Sequence, residues 1–196
     1  MRIKKSITIL PSVMEKSSNT QKEGRESILL FRELKQEDWK KIHTYASKVE
    51  VSQYQPWGPN TEKDTQDYVQ HLVHEIRQPE PQKHAWAILR EADEQLIGVA
   101  ELTILDAYHQ TGEIAYILHP DEWGRGMGTE VANRLIRDGF KSFQLKRIQA
   151  TCHPENKGSI RVLEKCGMEM EGRLRDHLKM KEGRRDSLLF SVLNDG

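Results

Sequence analysis

Three glycines at alternate positions, Gly124, Gly126 and Gly128, lie within the stretch His119-Pro120-Asp121-Glu122-Trp123-Gly124-Arg125-Gly126-Met127-Gly128-Thr129-Glu130. Glycine lets backbone approach a ligand closely and take positive φ. The residues that follow read as the start of a helix, whose first N–H groups have no intrahelical partner and whose dipole makes that end positive. Together these features make a socket for phosphate, with a plain tight turn between strand and helix as the alternative. It is not a P-loop, because Gly128 is followed by Thr129-Glu130 rather than by a Lys-Ser/Thr pair. Nor is it a dinucleotide fingerprint: counted from Gly124 the last glycine position holds Thr129, and counted from Gly126 it holds Val131.

Other residues with chemistry to offer are spread along the chain. Glu101 and Glu113 are carboxylates in strand-like segments. Asn156 and Ser159 are three apart, a spacing that suits a helix N-cap as well as a ligand contact. Tyr54 and Trp57 stand in a loop punctuated by Pro56, Gly58 and Pro59. Cys152 and His153 are adjacent, so on a strand they point to opposite faces and make a poor nucleophile pair. The two cysteines have no metal-ligand spacing, and no metal is expected.

The elements that would position these groups follow from periodicity. Residues 28–34 read as a first strand. Trp39, Ile42, Ala46 and Val49 are spaced for an amphipathic helix, and Thr61 caps another that places Val69, Leu72, Val73 and Ile76 on one face. Residues 83–90 and 95–105 read as strands joined at Asp93-Glu94, with Gly98 as a bulge. A strand at 113–118 leads through the glycine turn into a helix over 126–143. A strand at 147–153 leads into a helix over 158–166, ended by Gly167. The chain closes with a hairpin, 171–180 against 185–193. Residues 1–26 read as a polar N-terminal extension, patternless and mobile over residues 17–26, with the earlier residues either an added edge strand or disordered.

The glycine turn, followed by Asn156-Lys157-Gly158-Ser159 and Glu164-Lys165-Cys166-Gly167-Met168, resembles the GNAT N-acetyltransferase superfamily over roughly residues 28 to 193. The context Trp-Gly-Arg-Gly-x-Gly-Thr-Glu and the ending Glu171-Gly172-x-Leu174-Arg175 resemble its ribosomal-protein N-terminal acetyltransferase (RimJ/RimL-like) branch. Three positions depart from the pattern: Trp123 stands where Gln or Arg is usual, Met168 replaces an aromatic, and Leu163 occupies the place of a tyrosine acid.

The resemblance implies an α+β fold over residues 27–196. It would have a mixed, mostly antiparallel central sheet of about six to seven strands flanked by about four helices, its fourth and fifth strands splayed. It implies acetyl transfer from acetyl-CoA to a primary amine by direct attack in a ternary complex, with no metal. Residues 124–129 would hold the diphosphate, main-chain groups of Ile117 and Leu118 the pantetheine arm, and Asn156 and Ser159 further parts of the CoA. Glu113 would act as base and Ser159 as proton donor to the leaving sulfur. Tyr54, Trp57 and Glu101 would line the acceptor pocket, the aromatics having core packing as their alternative. The branch places a carboxylate where Leu178 stands here, which leaves His177 beside it as a minor candidate. The acceptor would be a small amine or a protein N-terminus, for instance of a ribosomal protein, and the enzyme a monomer or homodimer. A non-catalytic acyl-CoA-binding sensor is the alternative on the same fold.

Composition is consistent with a single soluble domain. The 196 residues are 36% hydrophobic and 31% charged, with 30 basic and 30 acidic side chains giving no net charge. No overall field draws nucleic acid or an anionic membrane, and no apolar run reaches the ~20 residues of a membrane span. Two cysteines suit a reduced, cytoplasmic setting.

Overall fold

A computed structural model describes residues 29–180 and 183–194; the polar extension expected over residues 1–26 lies outside them. Seven strands form one sheet in the order β1-β2-β3-β4-β5-β7-β6. These are β1 (Leu29–Glu33), β2 (Lys83–Arg90), β3 (Leu96–Asp106), β4 (Thr111–Leu118), β5 (Arg147–Cys152), β6 (Glu169–Met180) and β7 (Gly183–Leu193). All neighbours are antiparallel except β4 and β5, which are joined by the crossover helix α4 (Met127–Lys141).

Helices cover the two faces. On one, α1 (Trp39–Ala46) and α3 (Glu62–Ile76) bury Ile42, Tyr45, Val69 and Leu72 against Ala85, Ala87 and Val99. On the other, α4 and α5 (Lys157–Lys165) bury Val131, Leu135 and Leu163 against Ile88, Leu102, Ile114, Ile148 and Phe190. The alternation of a strand assigns each side chain to one of these faces. Glu101, Glu113 and Ile117 look towards α1 and α3, whereas Ile114, Tyr116 and Leu118 look towards α4 and α5.

Local chemistry explains the helix ends. The Thr61 hydroxyl accepts the Asp64 N–H at 3.2 Å while the Asp64 carboxylate accepts the Thr61 N–H at 2.9 Å, so the start of α3 is closed reciprocally. The helix expected to run on to Val49 instead stops at Ala46. Lys48 is extended, with ψ 134°, and a short turn α2 (Val49–Ser52) restarts the chain with Val49 70% exposed. β4 starts two residues before its apolar pattern, because Thr111 and Gly112 pair with Arg147 and Ile148. The irregularity expected at Gly98 falls beside it. Ile88 pairs with Gly98 and Leu89 with Leu96, leaving Ile97 as the extra residue. Gly98 itself allows a close approach: a Cβ there would lie 2.4 Å from the Ile117 carbonyl oxygen.

Candidate active site

β4 and β5 are paired only through Thr111–Arg147, Gly112–Ile148 and Glu113–Gln149. Beyond that point they diverge, and the β4 edge from Ile114 to Leu118 faces a gap. Main-chain direction alternates along a strand. The His119 N–H donates to Ile97 on β3, and the Ile117 oxygen lies against Gly98 of the same strand. The groups that face the gap therefore belong to Ile114, Tyr116 and Leu118. This corrects the expectation for Ile117, which reaches the site through its side chain. The Leu118 carbonyl is already engaged, accepting the Trp123 indole N–H at 3.1 Å.

The glycine turn lies at one end of this gap. Gly124 and Gly126 have φ of +75° and +85°, and a Cβ on either would meet nothing within 4 Å. Their freedom is thus required by backbone conformation, and the space above them is open. Gly126 is the N-cap of α4, whose first N–H groups belong to Met127, Gly128 and Thr129. Gly128 meets a different demand, since a Cβ there would come within 3.2 Å of the Tyr116 hydroxyl. Beneath the turn, Glu122 is buried and accepts from Arg90 at 2.5 Å, with the Arg125 guanidinium 3.7 Å from its second oxygen.

A cavity of about 310 Å³ opens in the gap. Its walls bring together Tyr54, Trp57, Glu101, Glu113, Ile117, Asn156 and Ser159, which are far apart in sequence. Glu113 accepts a long hydrogen bond from the Thr151 hydroxyl at 3.4 Å. Glu101 is more committed, accepting from Tyr68 at 2.6 Å and from Lys83 at 3.0 Å. Asn156 caps α5, its side-chain oxygen accepting the Ser159 N–H at 3.0 Å. Asn156 itself lines the cavity. Leu163 and Leu178 add apolar wall, and His177 is engaged with the Ser187 hydroxyl at 3.0 Å. A second cavity of about 390 Å³, under α1 and α3, shares Trp57, Tyr68 and Ile117 with the first.

Sequence reasoning missed four residues here. Tyr68 orients Glu101, and burial pushes its phenol well above the usual range. Tyr116 lines the gap with a phenol that burial likewise raises, leaving it a neutral donor. His153 packs against Tyr54 with the rings tilted by 34° and their centres 5.1 Å apart, and burial lowers its pKa, with Arg185 adding to the effect. Its Nδ1 accepts the Glu155 N–H at 3.0 Å, so in the neutral ring the proton sits on Nε2. Arg185 is the fourth. Only the adjacency of His153 to a flagged cysteine offered any signal, because the partners of all four are set by long-range strand pairing. The neighbouring Cys152 is pushed up to about 11 by burial, which keeps it a thiol rather than a nucleophile.

A sheet split between two parallel strands, a phosphate-suited helix start on one face and a carboxylate-bearing cavity on the other define the acyl-CoA-dependent transferase class. Comparison with known proteins supplies the family. The model described as "Acetyltransferase (GNAT) domain" matches residues 29–169, and the chain belongs to that family. It is 36% identical over 144 residues to the uncharacterized N-acetyltransferase YnaD of Bacillus subtilis (strain 168), covering 74% of this chain and 81% of that one. It is 32% identical over 166 residues to the uncharacterized N-acetyltransferase p20 of Bacillus licheniformis, covering 84% and 92%. A crystal structure of a GNAT-family acetyltransferase from Bacillus anthracis superposes with a TM-score of 0.75 at 30% identity, covering 85% and 95%. The protein is accordingly an acetyl-CoA-dependent N-acetyltransferase, and the non-catalytic alternative gains no support.

Proposed function

We propose that the chain transfers the acetyl group of acetyl-CoA directly to a primary amine that enters from the α1–α3 face, with Glu113 as the proton acceptor. The observation that carries this reading is the divergence of β4 from β5 immediately after Glu113. It leaves an unpaired β4 edge between the glycine-opened start of α4 and the cavity that holds the carboxylate.

The residues fit acetyl-CoA. The diphosphate meets the N–H groups of Arg125 to Thr129 and the Arg125 side chain. The amide-rich arm runs along the β4 edge in the manner of an added strand, against the gap-facing groups of Tyr116 and Leu118. An N–H on that edge donates to the thioester carbonyl, where negative charge develops. The Asn156 amide nitrogen contacts the arm from the opposite side.

An alkyl amine is mostly protonated at pH 7, whereas a peptide α-amino group has a reference pKa of about 7.7–8.0. Glu113, unlike Glu101, is held among the described residues by a single long hydrogen bond and takes the surplus proton, directly or through water. Ser159 Oγ, which makes no hydrogen bond among the described residues, donates to the departing sulfur. Tyr54, Trp57 and Glu101 frame the acceptor, a protein N-terminus or a small amine.

Calorimetric titration with acetyl-CoA tests the binding half. Wild-type protein binds, and Gly126→Trp, which fills the open space above the turn, does not. Failure of the wild-type chain to bind would overturn the reading. Acetylation of peptides and small amines, followed by CoA release, tests the transfer half.

A further inference from the structure

We infer that the amine acceptor carries an anionic group, a carboxylate, recognised by Arg185. The inference rests on the transfer reading above and adds the chemistry of the acceptor.

Arg185 lies on β7 and lines the gap cavity. Its flanking strands each carry an arginine with a carboxylate partner: Arg147 on β5 holds Glu171, and Arg173 on β6 holds Asp186. Arg185 holds none among the described residues, and its Nε is buried without any hydrogen-bond partner. His153, which lines the same cavity and feels the Arg185 charge, is neutral and cannot balance it. Arg185 is half-buried, with its Nε shut from water, and a cation that borders a cavity without a counter-ion is left for a ligand to complete. Its planar fork suits a carboxylate held by two hydrogen bonds.

The face matters as much as the charge. On β7, Leu188 and Phe190 pack towards α4, so the alternate residues Arg185 and Ser187 look the other way. Arg185 therefore stands on the sheet face opposite the glycine turn, away from the CoA phosphates and on the same face as Glu113. The two charges view one cavity from opposite sides of the gap without pairing to each other. An ammonium at Glu113 and a carboxylate at Arg185 match this arrangement, and a polycation does not. A cavity of about 310 Å³ favours a small zwitterionic amine such as an amino acid. An acidic side chain near a peptide N-terminus would supply the same carboxylate.

The test compares turnover of L-methionine, L-methioninamide, spermidine, and two C-terminally amidated peptides with Asp or Asn at the second position. Wild-type kcat/KM for the carboxylate-bearing member of a pair exceeds that of its neutral partner by about 10- to 100-fold. In Arg185→Gln that ratio falls to near one, and Arg185→Lys restores part of it. The amino-acid pair and the peptide pair separate the two sources of the carboxylate. Equal turnover within both pairs, a preference that survives Arg185→Gln, or preferred use of spermidine would overturn the inference while leaving acetyl transfer intact. If no amine is turned over, the transfer reading fails for these acceptors. The inference is then judged by calorimetric binding of N-acetylmethionine: binding lost in Arg185→Gln supports it, and no binding to the wild type overturns it.

Discussion

Two side chains in the cavity are assigned proton work, and their environments predict unequal importance. As the proposed proton acceptor Glu113 would relieve a protonated amine, a task worth about 10²- to 10⁴-fold. Glu113→Gln is expected to lower kcat by about 100-fold at neutral pH, with a smaller loss as pH rises and more amine becomes neutral, read from the pH profile of kcat. Ser159→Ala is expected to cost about 10-fold or less, because a thiol of reference pKa ~8.5 leaves without much help. The cysteines give a third expectation at this scale. Burial pushes both Cys152 and Cys166 up to about 11, so at pH 8 only about one thiol in a thousand is ionised at either site. Ellman's reagent should find two slow thiols in the native protein and two fast ones after denaturation. Fast native labelling at either position would contradict the burial described for it.

At the scale of elements, the end of β4 is held by contacts that a single methyl group disturbs. In Gly98→Ala the new Cβ would meet the Ile117 carbonyl at 2.4 Å and the Leu118 side chain at 2.7 Å, and a backbone oxygen cannot step aside as a side chain can. Overpacking of this kind costs about 1–3 kcal/mol. Denaturant unfolding should show that loss, together with weaker acetyl-CoA binding, since the displaced residues flank the gap. Asn156→Ala removes a cap and should cost about 1 kcal/mol. The strand, glycine turn and helix around Gly126 were legible in the sequence because each signal is local: an apolar run, three alternating glycines and a 3.6-residue period. The cap at Asn156 was legible for the same reason. The main-chain direction at Ile117 was not, because it depends on how β4 registers against β3. Arg185 was silent because its place in the cavity is created by β5 pairing with β7 across more than thirty intervening residues. The same long-range assembly brought Tyr68 to Glu101.

Across the whole molecule, the sheet is two plates, β1 to β4 and β5 to β7, joined edge to edge by three consecutive residue pairs. None of the described helices is long and apolar enough to cross a membrane, and the plates are instead clamped by α4 and α5 packing on one side. On the proposed reading, an extended co-substrate lying between the diverging edges would supply the missing rungs, and so belong mechanically to the scaffold for as long as it is bound. Amide hydrogens of Tyr116 and Leu118 should then exchange with solvent markedly more slowly in the presence of acetyl-CoA, while those of β1 and β2 change little. Unchanged exchange at the β4 edge would mean that the arm lies elsewhere. Product release, on this view, is a small unzipping: each turnover ends by reopening a wedge in the molecule's own framework, so the stiffness of that three-pair join sets a floor under how quickly spent CoA can leave.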